Sequence, residues 1–233
     1  MSQSLTLGVL GGMGPAATLD FLQKLQAYTP VAEEQDHLRV LVDINPQVPD
    51  RNVPGTMAGP VLAEMAGALR GAGAEVLAMP CNTAHAHAGV IQRASGLPLV
   101  DLIETGAQAA AESGAMRAGV LGTRGALKLY REYLAAQAMG LVSLPSEQQD
   151  EFMSLIHAIK LGDTGPEVKA GMRKLAEALV ADGAEVVIAG CTEAPLVLAA
   201  ADLDVDFVDP GDLLARRCVN VCLGLEPLPV VPV

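Results

Sequence analysis

The chain has 233 residues, enough to bury one large core or two smaller ones, and 51% of them are apolar, which excludes a disordered chain. Only 3% are aromatic and there is no Trp, so Leu, Val, Ile, Met and Ala must build the core, as suits parallel sheets beneath Ala-rich helices. A formal charge of −12 argues against nucleic acid or an anionic membrane surface as partner, and it obliges any small anionic substrate to find a local cationic pocket.

The opening MSQSLTLGVLGG lacks a basic segment followed by a long apolar one, so it does not read as a signal peptide. No apolar run approaches the length of a membrane span. With no secretion signal, the four cysteines read as thiols rather than staples, and the cytoplasm is the expected compartment. In chain order, 5–10, 38–42, 76–79 and 97–100 read as buried strands, and 119–122, 186–189 and 206–208 repeat that character. Segments 16–28, 59–70, 126–139 and 166–182 have helical composition and apolar spacing between them. Alternating strands and helices predict an α/β fold with parallel sheet.

An internal repeat organises the chain. GVLG occurs at Gly8–Gly11 and again at Gly119–Gly122, and GAEV at Gly73–Val76 and again at Gly183–Val186. Five residues after the Val of each GAEV stands a cysteine, Cys81 in MPCNT and Cys191 in AGCTE, and LVDL at 99–102 then echoes FVDP at 207–210. The expectation is two similar three-layer α/β domains related by pseudo-twofold symmetry, with an active site in the cleft between them. The first domain would comprise 1–102 plus 211–233, including a terminal helix near 211–223, and the second 103–210.

In a parallel sheet, ligands bind beyond the carboxyl ends of the strands, where Cys81 and Cys191 both fall. A helix starting after each cysteine would lower its thiol pKa from about 8.5. Two thiols on opposite faces of one carbon suit cofactor-independent racemisation, in which one thiolate removes the α-proton and the opposing thiol delivers another. The bland reading is two buried core cysteines, and their matched places in a repeat weigh against it. Cys218 and Cys222, four apart on one helical face, read as core packing. A zinc site from Cys81, His85 and His87 is disfavoured because the two histidines, two apart, project in different directions. His85 reads as capping, packing or orienting near Cys81. GGMGPAA mimics a dinucleotide fingerprint, yet that reading leaves the cysteine pair unexplained. Its backbone N–H groups can equally cradle a carboxylate, with Met13 at the site.

The chain resembles the PLP-independent aspartate/glutamate racemases over essentially its whole length, through GVLGGMGPAAT, NPQVPDRN, PCNTAHA, GVLGT and GCTEAPL; NPQVPDR leans toward the aspartate-racemase branch. The resemblance implies Cys81 and Cys191 as catalytic acid/bases. It implies Asn82, Thr83, Thr123 and Thr192 as ligands of the α-carboxylate and amino group, and Arg51 and Lys160 as cations for the distal carboxylate. Glu193 would tune Cys191 or cap a helix. No cofactor and no metal are implied, the substrate would be an acidic amino acid, aspartate before glutamate, and the assembly a homodimer. Where the family's second loop often reads Thr-x-Gly-Thr, this chain has Ala126, one hydroxyl fewer. Broad-specificity amino-acid racemases, maleate isomerases and arylmalonate decarboxylases share parts of the scaffold, and isomerisation or decarboxylation of a dicarboxylic acid is the alternative reaction. A non-catalytic amino-acid or nucleotide binder is the alternative from another class.

Overall fold

The computed structural model describes residues 4–53 and 55–231, so the outermost residues of the first predicted domain, 1–3 and 232–233, lie outside it. The fully buried strand β1 (Leu7–Gly11) is flanked by β2 (Val40–Ile44) and β3 (Val76–Ala78), and β4 (Leu99–Val100) lies beyond β3. Every pairing is parallel, in the order β2-β1-β3-β4. Helices α1 (Pro15–Tyr28), α2 (Ala58–Gly71) and α3 (Ala88–Ser95) connect the strands.

After α4 (Leu102–Glu112) the pattern recurs. It runs through β5 (Arg117–Val120), α5 (Arg124–Ala136), β6 (Gly140–Val142), α6 (Ser146–Lys160), α7 (Pro166–Ala181), β7 (Val186–Ile188) and β8 (Asp206–Val208). This second sheet is also parallel, in the order β6-β5-β7-β8. Helix α8 (Pro210–Cys222) closes the chain. Proline stands at the first turn of α1 and of α7, where its missing N–H costs nothing. The strand not foreseen from sequence is β6. It has three residues and begins at Gly140, too short for a periodic signal.

The chain divides into two compact units, Met1–Leu102 with Gly211–Val233, and Ile103–Pro210. In the first, α8 is fastened to α1. The Tyr28 hydroxyl donates to Asp212, and the Arg216 guanidinium stacks 4.0 Å from the Tyr28 ring centroid and donates to Asp212 at 3.0 Å. Cys218 and Cys222 are buried on the inner face of α8, and the Cys222 carbonyl accepts from the Leu5 N–H at 2.9 Å.

The repeated tetrapeptides have a shared structural task. Gly73 and Gly183 adopt φ +104° and +93°, conformations that L side chains rarely adopt, and so turn the chain out of α2 and α7. The next residue, Ala74 or Ala184, presses its Cβ onto Gly8 or Gly119 of the neighbouring strand. The Glu75 carboxylate then accepts from the Thr6 N–H at 2.8 Å, and Glu185 accepts from the Met116 N–H at 2.6 Å. GVLG and GAEV are therefore the two sides of one helix-to-strand joint, made once in each unit.

In both sheets the chain reverses its winding between the first strand and the third, β1 and β3 or β5 and β7. Beyond the carboxyl ends of such a strand pair, loops diverge and leave a crevice. Met13 and Cys81 follow β1 and β3, and Thr123 and Cys191 follow β5 and β7.

Candidate active site

In the first unit, Gly12 leaves β1 with φ +92°, and a Cβ there would overlap the Asn45 backbone at 2.5 Å. Its N–H donates to the Thr18 hydroxyl at 2.9 Å. This turn delivers the Met13 carbonyl to Arg51, whose guanidinium donates to it at 3.3 Å and to the carbonyls of Val48 and Pro49 at 3.4 and 3.3 Å. The buried Arg51 Nε has no hydrogen-bond partner, and no described carboxylate pairs with this cation. Arg51 is thus held in place by neutral carbonyls with its charge uncompensated, as an anion subsite requires. His87 lies within its field. Burial first, and the Arg51 charge second, depress the His87 imidazole below its ordinary value and keep it neutral near pH 7.

Cys81 is 5% exposed and belongs to the buried apolar cluster that also holds Leu10, Met13, Met79 and Ala84. Its loop is held by His85. The Leu102 N–H donates to Nε2 at 3.1 Å, so that nitrogen carries no proton and Nδ1–H donates to the Cys81 carbonyl at 2.9 Å. Both ring nitrogens are spent on backbone, which gives His85 the orienting part among its expected roles. Asn82 and Thr83 are buried beside it.

In the second unit, the Thr123 hydroxyl caps α5 by accepting from the Ala126 N–H at 3.2 Å. Gln149 of α6 donates to the Gly122 carbonyl at 3.0 Å and fixes the same turn. Ala126 is fully buried, and a Cβ on Gly122 would stand only 3.3 Å from its own. Cys191, 7% exposed, donates its S–H to the Glu193 carboxylate at 2.9 Å, and Lys160 at the end of α6 lies 3.8 Å from the other oxygen of Glu193. Glu193 makes no side-chain cap to the short 3-10 turn after it, so of its two expected roles the contact with Cys191 is the one observed.

One expectation is corrected. Cys191 was to precede a helix whose dipole lowers its pKa, but the segment after it is a single 3-10 turn, Ala194–Leu196, whereas after Cys81 the 3-10 turn Thr83–His87 runs directly into α3. A three-residue turn carries little dipole. The Cys191 thiol is instead pushed well above its ordinary value, by burial first and then by the Glu193 charge. Lys160 and the Glu193 backbone N–H act in the opposite direction. That thiol–carboxylate–ammonium chain leaves no mark in the sequence, because it depends on where the end of α6 falls relative to the β7 loop.

Met13 and Arg51 therefore meet in the first unit, where Cys81, Asn82 and Thr83 share one loop. Lys160, Cys191 and Glu193 meet in the second, where Thr192 adjoins Cys191. A family profile described as Asp/Glu/Hydantoin racemase matches residues 10–218. The chain belongs to that family.

Relatives agree with this membership. The broad specificity amino-acid racemase RacX of Bacillus subtilis is 26% identical over 228 residues, covering 94% of this chain and 99% of that protein. The glutamate racemase of Pseudomonas aeruginosa is 32% identical over 158 residues, which span 64% of this chain and 58% of the longer relative. The fold is shared with the Picrophilus torridus aspartate racemase, with a TM-score of 0.81 at 23% identity over 94% of each chain. It is also shared with the Francisella tularensis glutamate racemase in complex with D-glutamate, with a TM-score of 0.71 at 18% identity over 98% of this chain and 85% of that one. Among the described residues of this racemase-family chain, no helix is long and apolar enough to cross a membrane.

Proposed function

We propose that the chain racemises acidic amino acids, aspartate first and glutamate second, without a cofactor, using Cys81 and Cys191 as its two acid/bases. The observation that carries this reading is the matched placement of the two thiols, each at the carboxyl end of the third strand of its unit. In the proposed mechanism the two thiols act on opposite faces of the substrate α-carbon. One thiolate takes the α-proton, leaving the electron pair on carbon, where the carboxylate delocalises it. The other thiol delivers its own proton to the opposite face, and the negative charge ends on its sulfur. Arg51, fixed by three carbonyls and lacking a carboxylate partner, would receive the side-chain carboxylate, with Lys160 as the second cation. Asn82, Thr83, Thr123 and Thr192 would hold the α-amino and α-carboxylate groups.

The relative named for broad specificity and the neighbours named for aspartate support the substrate class. Reduced thiols suit a cytoplasmic enzyme, and the family resemblance supports a homodimer, which light scattering would test. The deciding experiment is α-hydrogen exchange. Purified protein without added pyridoxal phosphate should wash solvent deuterium into L-aspartate and form the D-enantiomer. Cys81→Ser and Cys191→Ser should each abolish racemisation. Absence of exchange with every acidic amino acid would sink the reading, and consumption of maleate or an arylmalonate in the same panel would reassign the reaction.

A further inference from the structure

The two thiol loops share a register but not a chemistry. The repeat that aligns Cys81 with Cys191 also aligns Asn82 with Thr192 and Thr83 with Glu193, so a carboxylate stands where the first unit has a hydroxyl. That carboxylate is 1% exposed, accepts the Cys191 S–H at 2.9 Å and meets Lys160 at 3.8 Å. A buried carboxylate beside a sulfur favours S–H over S⁻, because the thiol donates to it whereas a thiolate would repel it.

We propose that Glu193 is a positioning residue that holds Cys191 as the protonated thiol in the substrate-free protein, making Cys191 the proton donor at the start of turnover, while Lys160 sets how tightly that proton is held. The proposal rests on the two-thiol racemase reading and adds an inequality between the thiols. The Cys81 thiolate takes the α-proton, the Cys191 S–H bond breaks as the new C–H bond forms, and the negative charge passes from the Cys81 sulfur to that of Cys191. There it meets the Glu193 carboxylate, offset by Lys160 and by the Glu193 backbone N–H that faces the sulfur. Glu193, from the Cys191 loop itself, and Lys160, from α6, are the charged groups that act on this thiol. After one turnover the protein thus holds its charge at the less favourable sulfur, which drives a proton from the Cys81 thiol, through solvent, back to Cys191 and restores the Cys81 thiolate before the next substrate.

The two side chains should act on Cys191 with opposite signs. Selective 13Cβ labelling of cysteine allows each thiol to be titrated by NMR without substrate. In Glu193→Gln, which keeps the shape and removes the charge, the Cys191 midpoint should fall by about one pH unit or more. In Lys160→Met it should rise. Buried Cys218 and Cys222 report folding in the same spectra. An unmoved Cys191 midpoint in Glu193→Gln, or shifts of the same sign in the two variants, would overturn the proposal. Should Glu193→Gln fail to fold, seen as Cys218 and Cys222 titrating like exposed thiols, Lys160→Met decides alone, since no upward shift there also overturns it. In active protein, the alkaline limb of the racemisation pH profile should move down in the first variant and up in the second. Because the titration needs no turnover, a protein that racemises nothing yet shows both shifts would refute the racemase reading and leave the thiol–carboxylate pair standing.

Discussion

Gly8 and Ala74 fit together so closely that a Cβ on the glycine would stand 2.8 Å from that of the alanine, and Gly119 and Ala184 repeat the distance in the second unit. Neither alanine has a flexible end that could yield. Gly8→Ala and Gly119→Ala should each destabilise the protein by about 1–3 kcal/mol through overpacking. Denaturant unfolding checks this, and an unchanged midpoint in either variant would show that the joint has room.

His85 should matter without touching the reacting atoms. Its ring joins the Cys81 carbonyl to the Leu102 N–H, and both backbone groups are buried in that contact. His85→Ala leaves two polar groups unmatched, at a cost of about 1–3 kcal/mol each. The Cys81 loop should loosen with it, so kcat should fall in proportion more than KM rises. A variant with wild-type kcat and stability would reduce His85 to packing.

These two cases show what the sequence carried. GVLG and GAEV were legible because their glycines and alanines answer to a local joint that tolerates no other residues, and the joint recurs. The cysteines were legible because the repeat placed both after a buried strand. Glu193 was ambiguous and β6 invisible for a common reason: each is defined by a partner distant along the chain. The Glu193 carboxylate takes its role from Lys160, 33 residues earlier, and β6 is a strand only because Arg117 and its neighbours pair with Gly140–Val142. The mistaken lowering of the Cys191 pKa has the same origin, since burial and Glu193 outweigh the dipole of a three-residue turn.

Arg51 should decide preference for a carboxylate side chain. Its three carbonyl contacts fix the fork, and a lysine cannot reproduce that planar geometry. Arg51→Lys should raise KM for aspartate by about 10- to 100-fold, the loss of one charge-assisted hydrogen bond, with less effect on kcat. Steady-state kinetics on aspartate beside a neutral amino acid is the check. Equal losses on both substrates would mean that Arg51 supports the Met13 loop and does not read the side chain.

Alkaline pH should unfold the protein through its buried thiols. Burial first raises Cys191, Cys218 and Cys222 above their ordinary value near 9, Cys191 and Cys218 well above it and Cys222 to about 12. Below that ordinary value each thiol is protonated whether the chain is folded or not, so the full stability is present. As pH rises through it, the unfolded chain ionises while the folded chain does not, and stability drains away until the folded thiols themselves titrate. Each such thiol should contribute a slope of about 1.4 kcal/mol per pH unit in that window. Cys218→Ala removes one of them. It should lower stability modestly near neutrality, yet flatten the decline above about pH 9 by that slope. Denaturant midpoints measured across the range test it, and parallel curves for wild type and variant would mean that Cys218 ionises as readily in the folded chain as in the unfolded one.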